Sequence, residues 1–379
     1  MKRYFYFVSL ILIGVTSAIS MAKAEWPSKP LEFVIPFGAG GGADIEGRMI
    51  AKAMSKELGQ PVVPVNKPGG GGAITYTYVK NSKPDGYTLA WNSTSILTTT
   101  NIGNVPFDYT AMDHIGQVAQ QPVPFVVSAK SKWKTFKDFM DECKAKPNTL
   151  KVAFAGFGSA THIAGVAMTK LANCKPIMLP VKAPDRRKMI FSGETDAAVD
   201  IFFVPLKHVK AGKMRFLAIS SGKRNPASPN VPTARELGMD MEFDLFRGIS
   251  VAKGTPQAIK DKLESAMIKA ANSKPFAGRM KKLKLTLAPM GQKEFASKLA
   301  KAATRLLLIS FVKSLSPPER FFIAISLCFS VSALMMSEML SVFTRSILLF
   351  KSALFVNSPG SASLKPSFSK VVEILLITA

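Results

Sequence analysis

Histidine and cysteine are scarce in this chain, with three of each in 379 residues. His114, His162 and His208 are too scattered to suggest a metal cluster or a catalytic triad by spacing. Cys143, Cys174 and Cys328 show no zinc-ligand spacing, so no metal site is expected. In an oxidising compartment Cys143 and Cys174 are candidates for a disulfide, but the sequence gives no distance between them and leaves that pairing open. Acidic residues are also few: 25 Asp and Glu stand against 50 Lys and Arg, for a net charge of +25. The lysines are not interleaved with stacking aromatics as a nucleic-acid surface requires. The charge reads as solvated surface with some steering of anionic ligands.

What is present begins with an export pattern. Met1-Lys2-Arg3 is followed by an apolar run from Tyr4 to Met21 and by the small-x-small site Ala22-Lys23-Ala24. Residues 1–24 therefore read as a signal peptide cleaved after Ala24, which predicts a periplasmic protein. A membrane tether is the alternative, although the run is short for a span. From Glu25 to Arg305 there are 281 residues, carrying +19 of the net charge and long enough for two α/β lobes.

The organising stretch is the apolar run Leu31 to Ile35, the bend Pro36-Phe37-Gly38-Ala39-Gly40-Gly41-Gly42, and a helical segment. Ile45, Met49, Ala53 and Leu58 share one helical face that ends at Gly59. A strand that breaks at glycines and feeds a helix leaves unpaired amides at the positive end of the helix dipole, a socket for an anion. The same grammar recurs after residues 150–155, in Gly156-Phe157-Gly158-Ser159-Ala160-Thr161-His162, before helical spacing at Ile163, Ala167 and Leu171. Two such sockets, one per lobe and facing across a cleft, would grip the carboxylate of a small organic acid. Further strands are expected at 61–65, 87–91, 115–118, 123–127, 197–203, 216–220 and 248–252. Helices are expected through Tyr76 and Val79, from Thr135, near 206–210, over 256–272 and from Lys293 to about Ala303. This alternation predicts an α/β protein with mostly parallel sheets.

A set of landmarks runs through the chain in order. They are Trp26-Pro27-Ser28-Lys29-Pro30, Val34-Ile35-Pro36-Phe37 with Gly40-Gly41 and Asp44-Ile45, Asn66-Lys67-Pro68-Gly69 with Gly71-Gly72, and Pro84-Asp85-Gly86-Tyr87-Thr88-Leu89. Gly158-Ser159 with His162, Gly193 with Asp196, Ala211-Gly212-Lys213, Val231-Pro232-Thr233 and Gly254-Thr255-Pro256 complete it. This ordered set, from Trp26 to about Ala303, resembles the extracytoplasmic solute receptors of tripartite tricarboxylate transporters, the Bug or TctC type. The resemblance implies a two-lobed clamshell like the type II periplasmic binding proteins, joined by hinge strands. Lobe 1 would comprise 25–123 and 246–305, and lobe 2 would comprise 124–245. It further implies a non-catalytic, cofactor-free, monomeric receptor that hands a small carboxylate to membrane permease subunits.

By that resemblance the ligand is held by backbone amides and ordered water from two loops. The candidates are Phe37, Gly38, Ala39, Gly40, Gly41 and Asp44 in one, and Gly158, Ser159, Thr161 and His162 in the other. Convergent amides suit an acceptor-only carboxylate without a dedicated arginine. Asp44 either complements the helix dipole, or shapes the pocket by accepting loop amides, or selects ligands with an amino group. Asp200 lies near the second cleft wall by family register, with the same ambiguity. Ser93 and Thr94, at a strand end, either donate to a second carboxylate or cap the turn. The chain departs from the family at Val181-Lys182-Ala183, where Tyr-Lys-Gly is common, and at the Pro184-Asp185-Arg186-Arg187 that follows.

Two enzyme readings compete. Gly38-Ala39-Gly40-Gly41-Gly42-Ala43 satisfies a dinucleotide-binding pattern, but Asn66 stands where an acid would hold the ribose, and no phosphate-loop lysine follows. Ser159 and His162 suggest an esterase pair, but the nucleophile-elbow spacing is absent and a helix cap explains the serine as well. After Arg305 the composition changes. Residues 306–379 hold 15 serines, a single glycine and no Asp, His, Trp, Tyr or Gln. A frameshifted or non-native tail, a membrane anchor through the uncharged run 321–337, and a folded extension are the readings of it.

Overall fold

The computed structural model describes residues 25–314. The signal-peptide reading and nearly all of the atypical tail, Cys328 included, fall outside them.

β1 (Leu31–Ile35) is buried except at half-exposed Glu32, as a largely apolar strand covered on both faces must be. α1 (Gly42–Leu58) returns across the sheet and stops at Gly59, whose left-handed φ of 66° suits glycine. The helix is rotated from the expected face. Ala43, Ile50, Ala51 and Met54 are buried; of the expected face Leu58 is sealed, while Ile45, Met49 and Ala53 flank the core half-exposed. α1 is wedged between the sheet and a later helix, and the residues facing both partners are the ones sealed.

β2 (Val62–Asn66) pairs parallel to β1 at the sheet edge, where Pro64 is tolerated. A short 3₁₀ turn at Gly70–Gly72 leads into α2 (Ala73–Lys80), β3 (Thr88–Ser93) and α3 (Ser95–Asn101). β4 (Met112–Pro122) stays in this first sheet, and β5 (Pro124–Ser128) opens a second one. The chain then builds α4 (Phe136–Ala145), opened by a Thr135/Asp138 capping box, then β6 (Lys151–Phe154), α5 (Ala160–Leu171) and β7 (Ile177–Pro180). α6 (Ala183–Ser192), β8 (Ala197–Val199), α7 (Phe203–Lys210) and β9 (Met214–Ile219) complete that region. The strand expected over 197–203 is thus cut to three residues, because Phe203 already begins a helix. β10 (Asp244–Ala252) re-enters the first sheet, followed by α8 (Gln257–Asn272), α9 (Lys274–Lys282), β11 (Thr286–Met290) and α10 (Gln292–Ser314). α9 and β11 have no counterpart in the sequence-based reading.

The first sheet runs β11-β4-β10-β3-β1-β2 and the second β7-β6-β8-β5-β9. Both are mixed, contrary to the expectation of mostly parallel sheets. Only β2-β1-β3 and β7-β6-β8 are parallel, and the strands that carry the chain between sheets run antiparallel to their neighbours. The two crossings are tied at one point. Buried Ser220 accepts the Val123 amide at 2.8 Å through Oγ, donates from Oγ to the Phe243 carbonyl, and donates its own amide to the Val123 carbonyl at 3.1 Å.

Each sheet has its own packed side. Phe33 and Trp91 pack at a tilt with ring centroids 5.6 Å apart under α1. In the second, Phe125 meets Phe136 and Phe139 edge-on, and Trp133 packs on Phe139 at 4.9 Å. Cys143 and Cys174 form a disulfide, closing 31 residues from α4 to just past α5. Among the described residues, no helix is long and apolar enough to cross a membrane.

Candidate functional site

Parallel strands deliver their carboxyl ends to a shared crevice, the place where open α/β sheets present polar groups to ligands. The bend after β1 meets the segments after β7 and β8: a Cβ on Gly42 would fall 2.8 Å from Ile201 Cδ1, and one on Gly41 3.1 Å from the Ala183 Cβ. The segments after β2 and β3 meet the bend after β6. Gly71, at φ 66°, lies so close that a Cβ there would sit 2.2 Å from the Phe157 carbonyl oxygen. Asn104 donates to the Gly70 and Phe157 carbonyls at 2.8 and 3.0 Å, and Thr98 Oγ1 donates to the Gly158 carbonyl. Each glycine bend therefore lies against the opposite sheet's loops.

The first bend is braced by Asp44. Its Oδ2 accepts the Gly40 amide at 3.0 Å, and its Oδ1 accepts Arg48 Nε at 2.8 Å and Asn66 Nδ2 at 2.9 Å. Asn66 also donates to the Phe37 carbonyl. Burial pushes the Asp44 carboxyl up, but these hydrogen bonds and the Arg48 charge outweigh it and hold the group below the usual carboxylate range. Asp44 accepts a loop amide and also stands in the first turn of α1, where a carboxylate complements the helix dipole. The Gly40 amide is spent on Asp44, and the Gly41 amide points at the Gly38 carbonyl at 3.4 Å. The amides of Gly38, Ala39, Gly42 and Ala43 meet no acceptor among the described residues.

In the second bend Ser159 is the N-cap of α5, its Oγ accepting the His162 amide at 3.2 Å. Thr161 Oγ1 lies 3.0 Å from Ser159 Oγ and accepts the Ala155 amide. His162 accepts the Gly158 amide through Nδ1 at 3.3 Å, and its ring packs on Phe154 and Phe157. Burial pushes the imidazole pKa down, favouring the neutral form that accepts. Ser159 and His162 are thus linked through the backbone, without the side-chain contact a nucleophile and its base require. The Ala160 and Thr161 amides meet no acceptor among the described residues. Among the described residues the first bend thus offers free donors both in its loop, at Gly38 and Ala39, and in the first helical turn, whereas the second offers Ala160 and Thr161 of its first turn.

Thr94 Oγ1 accepts the Phe246 amide at 3.0 Å, so this hydroxyl ties β3 to β10. Ser93 Oγ reaches Ser95 Oγ at 2.7 Å, and Ser95 Oγ reaches Tyr76 Oη at 2.7 Å. Asp200 forms a buried ion pair: its Oδ1 accepts Arg186 Nη2 at 2.8 Å and the Ile201 amide at 2.8 Å, while Arg186 Nη1 donates to the Val181 carbonyl at 2.7 Å. The unusual Pro184-Asp185-Arg186-Arg187 segment thus supplies the partner that neutralises Asp200. A second buried pair, Arg247 with Glu46 at 2.7 Å, was not anticipated. Burial pushes the Glu46 carboxyl up against the pull of Arg247. The missed signal was the alternation Leu245, Arg247, Ile249, Val251, which puts an arginine on the core side of a strand.

A family model described as the tripartite tricarboxylate transporter family receptor matches residues 47–305. Protein BugT of Bordetella pertussis, strain Tohama I, is 28% identical over 281 residues, covering 72% of this chain and 86% of BugT. Among solved structures, the periplasmic binding protein BugD is 27% identical with a TM-score of 0.69, over 74% of this chain and 96% of that one. MatC from Rhodopseudomonas palustris, with bound malate, is 25% identical with a TM-score of 0.69, over 74% of this chain and 98% of MatC.

Proposed function

This chain belongs to the tripartite tricarboxylate transporter receptor family, and from that premise we propose how it does a receptor's work. It captures a small carboxylate in the periplasm, closes its lobes on it and presents the closed form to membrane permease subunits. Lobe 1 is taken as 25–123 with 246–305 and lobe 2 as 124–245, acting as a monomer after removal of residues 1–24. The observation that carries this reading is the pair of first-turn amide sets, Gly42 with Ala43 and Ala160 with Thr161, on bends that meet the opposite sheet's loops. A carboxylate bridging them gains charge-assisted hydrogen bonds from both lobes only when they are closed, which is the differential affinity that shifts an open–closed equilibrium. The malate held by the relative MatC is an anion of the same class.

The test is a melting-temperature panel of mono-, di- and tricarboxylates and amino acids, with NAD as the rival ligand. At a hundredfold excess over its dissociation constant a true ligand stabilises by about 2.7 kcal/mol, a shift of roughly 5 °C for a protein of this size. A shift with NAD and none with any acid would overturn the proposal. Native mass spectrometry of the protein as purified identifies a retained ligand directly.

A further inference from the structure

Arg247, one of the largest fully buried side chains, lacks a full set of partners. It is 0% exposed and lies on the same side of the first sheet as Ile249 and Val251. Its Nε donates to Glu46 Oε2, and Glu46 is itself only 2% exposed. Nη1 and Nη2 are both buried, and neither meets an acceptor among the described residues. Buried donors left unpaired are costly, and charged ones more so. Two of them on one guanidinium call for an acceptor beyond those the described chain provides.

The geometry names the acceptor. Glu46 occupies the Nε of the fork, and its other oxygen is taken by Gln121 Nε2 at 2.6 Å. What is left is the end-on edge, Nη1 with Nη2, whose parallel N–H groups match the two oxygens of a carboxylate. Arg247 stands in register opposite Ser93, the last residue of β3, at the strand tip that enters the crevice. There Ser93, Ser95 and Tyr76 form a chain of buried hydroxyls. Glu46, the partner of Arg247, lies four residues beyond Gly42 on α1, about 6 Å of helix rise from the start of the amide socket.

We propose that Arg247, with the Ser93, Ser95 and Tyr76 hydroxyls, seats the second carboxylate of the ligand, so that the receptor selects dicarboxylates over monocarboxylates. This rests on the carboxylate-receptor reading above and narrows it. Calorimetry on the full chain, stripped of carried ligand, compares adipate with hexanoate and succinate with butyrate, pairs that differ only in the second carboxylate. Wild type binds the diacid of at least one pair tenfold or more tightly. The Glu46→Gln/Arg247→Gln double variant, which leaves no lone buried charge, loses that preference and keeps monoacid affinity within twofold. The single Arg247→Lys variant keeps the ion pair but not the bidentate edge, so it answers the question if the double variant does not fold. A preference reduced at least threefold with an unchanged melt supports the seat, and an unchanged preference overturns it. Equal binding of diacid and monoacid by wild type overturns the seat and leaves the receptor reading standing. No binding of any acid in the wider panel overturns both.

Discussion

At the residue scale, the site depends on charges that fix backbone instead of reaching solvent. Asp44 holds the first bend through Gly40, Arg48 and Asn66, and hydrogen bonds to a charged group contribute about 1.5–3 kcal/mol. Asp44→Asn is expected to lower stability by roughly that amount at neutral pH, measured by urea unfolding. Because the folded carboxyl titrates below its unfolded value, its contribution is fully present above the unfolded pKa of about 4 and is lost as pH falls through the folded value. The gap between wild type and variant therefore closes on acidification, and a constant gap across that range would refute the assignment. Arg186 and Asp200 make a sharper case, since their side chains are only 3% exposed. Arg186→Met alone leaves a buried carboxylate uncompensated and is expected to cost about 3–5 kcal/mol. Adding Asp200→Leu should recover much of it, and strict additivity in the double-mutant cycle would count against a coupled pair.

At the element scale, the two bends were legible because strand, glycines and helix follow in unbroken local order, and Gly59 ends α1 where the sequence says it should. The rotation of α1 was not legible: which of several apolar stripes is sealed depends on α8, some two hundred residues away. β7 escaped notice because Ile177–Pro180 lies half-exposed at an edge and shows no alternation. α9 and β11 were hidden in a lysine-rich stretch with few buried anchors, Phe276, Met280 and Leu285. Arg247 was visible as a letter, but its lack of partners is a property of packing. The disulfide is the element-scale device with a clear magnitude. Closing a loop of 31 residues predicts a stabilisation of about 3–4 kcal/mol. The Cys143→Ala/Cys174→Ala protein should melt correspondingly lower, and reductant should change wild type but not the variant.

At the scale of the whole molecule, closure and charge make separate predictions. Gly42 abuts Ile201 across the crevice, so Gly42→Ala should hold the lobes apart. Removing a glycine from a helix start otherwise leaves stability equal or higher by up to about 1 kcal/mol, so the expected signature is weaker ligand binding with an undiminished melt in its absence. A weaker melt without ligand would mean the contact belongs to folding rather than to closure. The excess of basic residues, +19 between Glu25 and Arg305, should speed the capture of anions. Stopped-flow association rates are expected to fall as salt rises through ~0.15 M, where the screening length is about 8 Å, with dissociation rates little changed. Finally, the chain leaves the first sheet at Val123 and returns by Phe243, and the Ser220 hydroxyl clasps both ends within hydrogen-bond reach. The intervening stretch is in effect a cassette whose two splice points coincide in space. Transplanting it between relatives would exchange one wall of the crevice as a unit, and recombination at these two joints offers a direct route to receptors of hybrid taste.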